Sequence, residues 1–360
     1  MKEKNVAVLI PSLDPEERTV QYVDELIAFG FPRIIVVDDG SKAENRHYFE
    51  ELTLRPACTV LRHEKNRGKG AALKTGFRYF IDNFSPEEWA GIVTADADGQ
   101  HSARDTRKAA EDLLLHPEAL ILGTRDFSGK NVPFKSRIGN RITSCVFALL
   151  NFKVIHDTQT GLRGIPFRFL EDCTRLEGER FEYEINMLIW AAKNGISILE
   201  EPIETIYYES NRATHFSVVK DSVKIYQVMF RSFVQFSASG IFSAAVDLSV
   251  FTLITKVFLS GTLTAGGIFA GTAAARILSA LVNFFLNKKV VFRCGGRVIS
   301  DLVRYGSLCV AQMLTSWLLV TGIYFLSHWD ASWVKMFVDL ALFFVSYQIQ
   351  RRWVFRGEKR

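Results

Sequence analysis

Short apolar runs alternate with amphipathic ones along the first part of the chain, and four long apolar stretches fill the rest. Residues 6–10 are an apolar run closed by Pro11, which predicts a buried strand. Residues 15–29 carry Val20, Val23, Leu26 and Ile27 at helical spacing, and Gly30 ends that helix. A β-branched run at 34–37 predicts a second strand that finishes in Asp38-Asp39-Gly40-Ser41. A helix around 43–52 and a strand at 59–62 follow. Asn66-Arg67-Gly68-Lys69-Gly70 then opens a helix to about residue 80. Further strands are predicted at 92–95, 119–123 and 196–206. Residues 133–141 are basic and lead into an apolar segment at 142–152, the pattern of a helix on a membrane surface or of a core helix with a basic start. The polar, glycine-punctuated stretch 156–164 reads as a loop, and residues 180–185 open another helix with Ile185, Leu188 and Ile189 on its apolar face.

This alternation implies an α/β domain with a mostly parallel sheet and crossover helices. Ligands of such sheets sit at the carboxyl ends of the strands. Pro11, Asp38-Asp39 and Asp96-Ala97-Asp98 all fall at that edge, each from a different strand.

Residues 217–231 have the pattern of an amphipathic interfacial helix. The apolar stretches 234–259, 263–286, 302–327 and 331–349 are each near the roughly 20 residues that span a bilayer. The chain therefore divides into an α/β domain at 1–212, a juxtamembrane helix at 213–232 and an all-α, four-helix membrane domain at 233–360. The membrane part contains a repeat. Phe233-Val234-Gln235-Phe236 echoes Leu302-Val303-Arg304-Tyr305, and residues 283–292 echo 346–355. Two parallel hairpins are implied. Asp247 and Arg276 lie mid-span in the first two helices, at similar depth, and are expected to pair.

Charge sharpens the division. The net charge is +5, but residues from Ser232 onward hold 13 Lys/Arg against 5 Asp/Glu, and the preceding part holds 31 against 34. Basic residues gather before the first span, between the second and third and after the fourth, which places both chain ends and the α/β domain on the cytoplasmic side of the membrane. No signal-peptide core is visible at the start. The five cysteines have neither paired nor metal-type spacing and read as reduced thiols.

The candidate chemistry sits at the sheet edge. Asp96 and Asp98 can face one point, and with the Gln100 amide oxygen they make a hard oxygen site for Mg²⁺ or Mn²⁺. His101 reads as a brace for the turn that follows. Asp38 and Asp39 can accept hydrogen bonds from a nucleobase N–H, or form an ordinary Asp-Gly-Ser turn. Gly68-Lys69-Gly70 lets backbone approach a ligand, and Lys69 at a helix N-terminus suits phosphate. Neither the P-loop spacing nor Gly-x-Gly-x-x-Gly occurs, which disfavours nucleotide hydrolysis and dinucleotide redox chemistry.

Together, Asp38-Asp39-Gly40-Ser41, Asn66-x-Gly-Lys-Gly70, Asp96-Ala97-Asp98-Gly99-Gln100-His101, Gly123-Thr124-Arg125 and Asp157-x-x-Thr-Gly161 resemble the inverting family 2 glycosyltransferases of GT-A fold, in particular the polyprenyl-phosphate sugar synthases. Residues 232–357 resemble the GtrA-like four-helix membrane proteins. The resemblance implies that Asp39 reads uracil beside Pro11 and Asp38, that Lys69 lies near the diphosphate, and that Asp96, Asp98 and Gln100 hold Mg²⁺ or Mn²⁺. It implies that Arg125 and Arg137, helped by Ser136, hold the acceptor phosphate, and that Asp157 and Glu184 sit by the sugar. A further acceptor arginine of the family has no counterpart in register here; Arg212 or His215 stands nearest. The implied reaction moves one sugar from a nucleotide-sugar to a polyprenyl phosphate, with UDP-glucose the leading donor and UDP-N-acetylglucosamine or GDP-mannose the alternatives. The partners are that donor, the lipid phosphate, the bilayer and a second copy of the chain, with no nucleic acid. A processive polysaccharide synthase is disfavoured, because the Gln of its Gln-x-x-Arg-Trp motif is Ile349 here. A non-catalytic lipid-carrier or flippase component is the rival of another class.

Overall fold

The computed structural model describes residues 4–127, 134–151, 153–204, 218–258, 264–327 and 329–355. They fall into two compact units, Met1–Met229 and Phe230–Arg360.

In the first unit, strands β1 (Asn5–Ser12), β2 (Ile34–Asp38), β3 (Cys58–Arg62), β4 (Trp89–Thr94), β5 (Ala119–Arg125), β6 (Arg163–Pro166) and β7 (Ser197–Ile203) form one sheet in the order β3-β2-β1-β4-β6-β5-β7. Every pairing is parallel except those of β6, which runs antiparallel between β4 and β5. The sheet is thus mostly parallel, as expected. The stretch 156–164 is not all loop, however, because Arg163 and Gly164 already belong to β6. The helices are α1 (Glu17–Ala28), α2 (Arg46–Thr53), α3 (Lys69–Asn83), α4 (Ala103–Leu115), α5 (Phe134–Asn151), α6 (Phe167–Arg175) and α7 (Glu182–Lys193), and all but α5 contribute to the two cores on the sheet. Helices α4 and α6 were not foreseen. The basic lead into α5 is itself helical from Phe134.

Strand alternation explains the two cores. Val6, Val8 and Ile10 point to the side covered by α1, α2 and α4, whereas Ala7 and Leu9 point to the side of α3 and α6. All of β2 is buried, as a parallel strand covered on both faces must be. The chain direction switches at β1, whose neighbours β2 and β4 lead away to opposite sides. A crevice opens there at the carboxyl edge.

The second unit contains most of α8 (Val218–Leu253), then α9 (Ala265–Leu286), α10 (Val298–Ser327) and α11 (Ala331–Ile349). Among the described residues, four helices are long and apolar enough to cross a membrane. Between 11% and 28% of each apolar window is buried within the protein, so most of these side chains face outward, as lipid contact requires. The expected separate surface helix is, over its described part, the first turns of α8. Nothing between Val218 and Leu253 breaks a helix, and the amphipathic pattern passes into the apolar one without a turn residue.

The repeat is structural. Helices α9 and α11 both run into a π-helical turn, Asn287–Val291 and Gln350–Val354, and the equivalent residues Asn287 and Gln350 meet, with Asn287 Nδ2 donating to Gln350 Oε1 at 2.9 Å. The expected mid-span pair is present: Arg276 Nε lies 3.7 Å from Asp247 Oδ1, which also accepts from Ser279 Oγ at 3.1 Å. By the repeat Asp247 corresponds to Ser316 and Arg276 to Asp339. These two also meet, Ser316 Oγ donating to Asp339 at 2.6 Å.

Candidate active site

A cavity of about 180 Å³ lies at the carboxyl ends of β1, β2 and β4, lined among others by Pro11, Asp39, Lys69, Asp96, Asp98 and Phe181. The residues that meet here are brought by strand ends. Asp39 is the first residue beyond β2, and its N–H donates to Ser12 O at 2.8 Å, tying the ends of β1 and β2 together. Its carboxylate accepts from Arg67 N at 2.9 Å and Gly68 N at 2.7 Å, so it organises the glycine loop from below. It also accepts from His63 Nδ1 at 2.7 Å, while His63 Nε2 meets Thr75 Oγ1 at 2.9 Å. A carboxylate only accepts, so His63 Nδ1 carries the proton of that bond. Asp38 is absent from the cavity lining. It caps the turn by accepting from Ser41 N at 2.8 Å and meets Arg62 Nε at 3.3 Å.

Gly68 is the N-cap of α3 with φ of 104°, and a Cβ there would stand 2.4 Å from Glu179 O. Only glycine suits this close, left-handed turn. It sets Lys69 as the first residue of α3, and the ammonium lies 2.5 Å from Asp96 Oδ1 and 2.9 Å from Glu184 Oε1. Glu184 is in the first turn of α7, where a helix favours negative charge.

Asp96 faces Lys69 with one oxygen and His101 Nε2, at 3.6 Å, with the other. His101 therefore braces the first acid of the pair. Burial pushes the Asp96 carboxyl up, but Lys69 and His101 outweigh it and hold the group well below the usual carboxylate range. Asp98 is pushed the other way, by burial and by the charge of Asp96. Its Oδ1 accepts from Gln100 N at 3.1 Å. Among the described residues no three His, Cys, Asp or Glu side chains gather into a metal cluster. The donor set is two carboxylates and an amide. It fits Mg²⁺ or Mn²⁺, which is bound through one or two carboxylates and completes its shell with water and substrate phosphate. The raised Asp98 carboxyl has the electrostatic surplus that such a cation relieves.

The residues expected on the acceptor side form a second group. Asp157 is fully buried and grips Arg125 with both oxygens, Oδ2 to Nε at 2.6 Å and Oδ1 to Nη2 at 3.1 Å. It therefore lies behind the arginine rather than in the cavity beside Asp39 and Lys69. Arg125, Arg137 and Arg141 line a groove of about 660 Å³ whose other walls include Phe127, Ala148, Val154 and Ile155. Arg137 and Arg141 are one turn apart on α5 and share a face. The side chain of Ser136, and all of Arg212 and His215, lie outside the described residues.

One loop joins the two groups. It starts at Asp157, behind Arg125, and ends at Gly161, where an added Cβ would stand 2.3 Å from the Asp96 carboxylate. Thr94 Oγ1 donates to Gly161 O at 2.8 Å and holds that end on β4. Arg163, which sequence reasoning missed, fastens the loop from beneath. Buried, it donates to Thr158 O at 3.3 Å, Thr160 O at 3.0 Å and Glu184 O at 2.6 Å. Burial pushes its guanidinium down, and Glu184, Asp157 and Asp96 oppose that. Its signal was an arginine inside the apolar run 162–166. His63 was missed as well, having no pattern to mark it.

Comparison with known proteins accords with this geometry. The family model "Glycosyl transferase family 2" matches residues 7–182, and "GtrA/DPMS, transmembrane domain" matches 235–355. A UDP-N-acetylglucosamine–dolichyl-phosphate N-acetylglucosaminyltransferase of Methanococcus voltae is 31% identical over 231 residues, covering 59% of this chain and 90% of the relative. A polyprenol monophosphomannose synthase of Mycolicibacterium smegmatis is 26% identical over 177 residues, with 47% and 65% covered. A dolichyl-phosphate beta-glucosyltransferase of Saccharomyces cerevisiae is 26% identical over 227 residues, with 55% and 66% covered. The chain belongs to glycosyl transferase family 2, its transferase domain carried on a GtrA/DPMS transmembrane domain.

Proposed function

We propose that the protein transfers a single sugar, with inversion, from a UDP-sugar to a polyprenyl phosphate. The observation that carries this is the groove beside the donor cavity: apolar walls for a lipid chain and three arginines for its phosphate, in a protein with four helices able to span a membrane.

The phosphate oxygen attacks the anomeric carbon, and the bond to the nucleoside diphosphate breaks as the new one forms. A phosphate monoester has its second pKa near 6, so the nucleophile is already anionic at neutral pH and no strong general base is needed. What the chain must supply is positioning and charge. Arg125 and Arg137 offer bidentate forks to the acceptor, with Asp157 fixing the angle of Arg125. On this reading Pro11 and Asp39, which line the cavity, would receive the base, Lys69 the diphosphate, and Glu184, 2.9 Å from the Lys69 ammonium, would stand by the sugar. Asp96, Asp98 and Gln100 would hold Mg²⁺ or Mn²⁺, whose charge neutralises the departing diphosphate. Asp98→Ala is expected to abolish transfer, and normal sugar–lipid synthesis by it in saturating Mg²⁺ would exclude this metal assignment.

The basic residues flanking the spans support a catalytic domain and both chain ends on the cytoplasmic side. UDP-glucose is the donor expected from the sequence. UDP-N-acetylglucosamine is a second reading, favoured by the name of the Methanococcus voltae relative. Incubation with labelled UDP-glucose, UDP-N-acetylglucosamine or GDP-mannose and undecaprenyl phosphate tests the proposal. A lipid bearing one sugar supports it; a polymer or no product rejects it.

A further inference from the structure

Lys69 occupies a carboxylate that the metal also needs. Its ammonium lies between Asp96 and Glu184, at 2.5 and 2.9 Å, with 14% of the side chain exposed. The opposite oxygen of Asp96 faces His101. Asp96 is therefore already paired with a cation, while Asp98 accepts from the Gln100 backbone N–H.

We propose that Lys69 is a place-holding cation: it holds Asp96 until a nucleoside diphosphate draws it away, so that the divalent ion binds tightly only together with the diphosphate. The inference rests on reading Asp96, Asp98 and Gln100 as the metal ligands. A dication brought against Asp96 while the ammonium remains there meets like-charge repulsion in a poorly solvated site. The lysine has somewhere to go. Its flexible stem starts at the first residue of α3, where the helix N-terminus also attracts phosphate oxygens. Glu184 gives it a second anchor that the metal does not contest. By linkage, the factor by which the diphosphate strengthens metal binding equals the factor by which the metal strengthens diphosphate binding. Bare metal and bare nucleotide are then both held poorly, and the complete donor is held well.

A purely structural ion pair makes the opposite prediction, because removing Lys69 would loosen the site and weaken metal binding. Binding of Mn²⁺ to the full chain in detergent, read from the electron paramagnetic resonance signal of free Mn²⁺ with and without UDP at matched free metal, separates the two. Lys69→Met and Lys69→Gln remove the ammonium from Asp96 and Glu184. They are expected to bind Mn²⁺ alone on the order of tenfold tighter than the wild type, with the strengthening by UDP reduced by the same factor. Lys69→Arg keeps the charge and should stay near the wild type. If the neutral variants melt cooperatively yet bind Mn²⁺ alone no tighter than the wild type, the place-holder is wrong. The metal reading survives that result as long as Asp98→Ala abolishes Mn²⁺ binding. A wild type that binds no Mn²⁺ even with UDP overturns both.

Discussion

At the scale of single residues, the site is built from groups that touch two neighbours at once. Gly161 is the sharpest case. It has no room for a side chain, since the nearest atoms are the carboxylate of Asp96 itself. Gly161→Ala must push Asp96 or the loop aside by about an ångström, and displacements of that size cost roughly 10²-fold in rate. We expect that loss in sugar–lipid synthesis with the melting temperature nearly unchanged, because the strain falls on a loop and a half-buried acid rather than on the sheet. Comparing turnover with thermal melting checks this. Asp39 shows the same double duty. The sequence marked it as a base reader or a turn acid, and the structure has it holding the backbone of the glycine loop and the ring of His63 while lining the cavity.

At the scale of elements, the antiparallel strand β6 holds the site together. Arg163→Met would leave three buried carbonyls without their donor, a cost of about 3 kcal/mol or more. Thermal melting of the variant should fall clearly below that of the wild type, and on the proposed function its KM for the lipid acceptor should rise along with its KM for the UDP-sugar, since the loop runs from Arg125's partner Asp157 to Gly161, against Asp96. A variant that melted as the wild type does would show that water replaces the guanidinium. Most of the sheet was legible in the sequence because runs such as 6–10, 34–37 and 92–95 are apolar on both faces and stop at acids, Pro or Gly. β6 was not, for a physical reason. Four residues, Arg-Gly-Ile-Pro, are too few to show a period, and one of them is a charge whose burial is repaid by carbonyls that only the fold brings together, Thr158 O, Thr160 O and Glu184 O. The long helix α8 was read as two pieces because its pattern of polar faces changes midway, and a change of pattern is not a break in backbone hydrogen bonding. Asp96, Asp98 and Lys69 were legible as a cluster. That Lys69 grips Asp96 was not, because the crossing of α3 over the sheet sets that contact.

At the scale of the whole chain, a transferase unit is joined to a membrane unit made of two similar hairpins. Asp247 and Arg276 lie at the middle of the first hairpin, and Arg276 is 76% exposed, toward what would be lipid. Either charge alone at that depth costs about 2.5–3.5 kcal/mol on insertion scales. Asp247→Arg and Arg276→Asp are each expected to lower the amount of protein recovered from membranes, and the double exchange to restore much of it; an exchange no better than the single variants would remove the pair's structural role. In the transferase unit, the loop from Asp157 to Gly161 is also a ruler. Its four Cα steps can span at most ~14 Å, so Asp157, behind Arg125, and Gly161, against Asp96, stand no more than a short stride apart. Lengthening that stride by one inserted residue after Gln159 should leave each substrate its own binding surface and put the two reacting atoms out of step: a protein that holds both ligands, measurable by equilibrium binding, and joins neither.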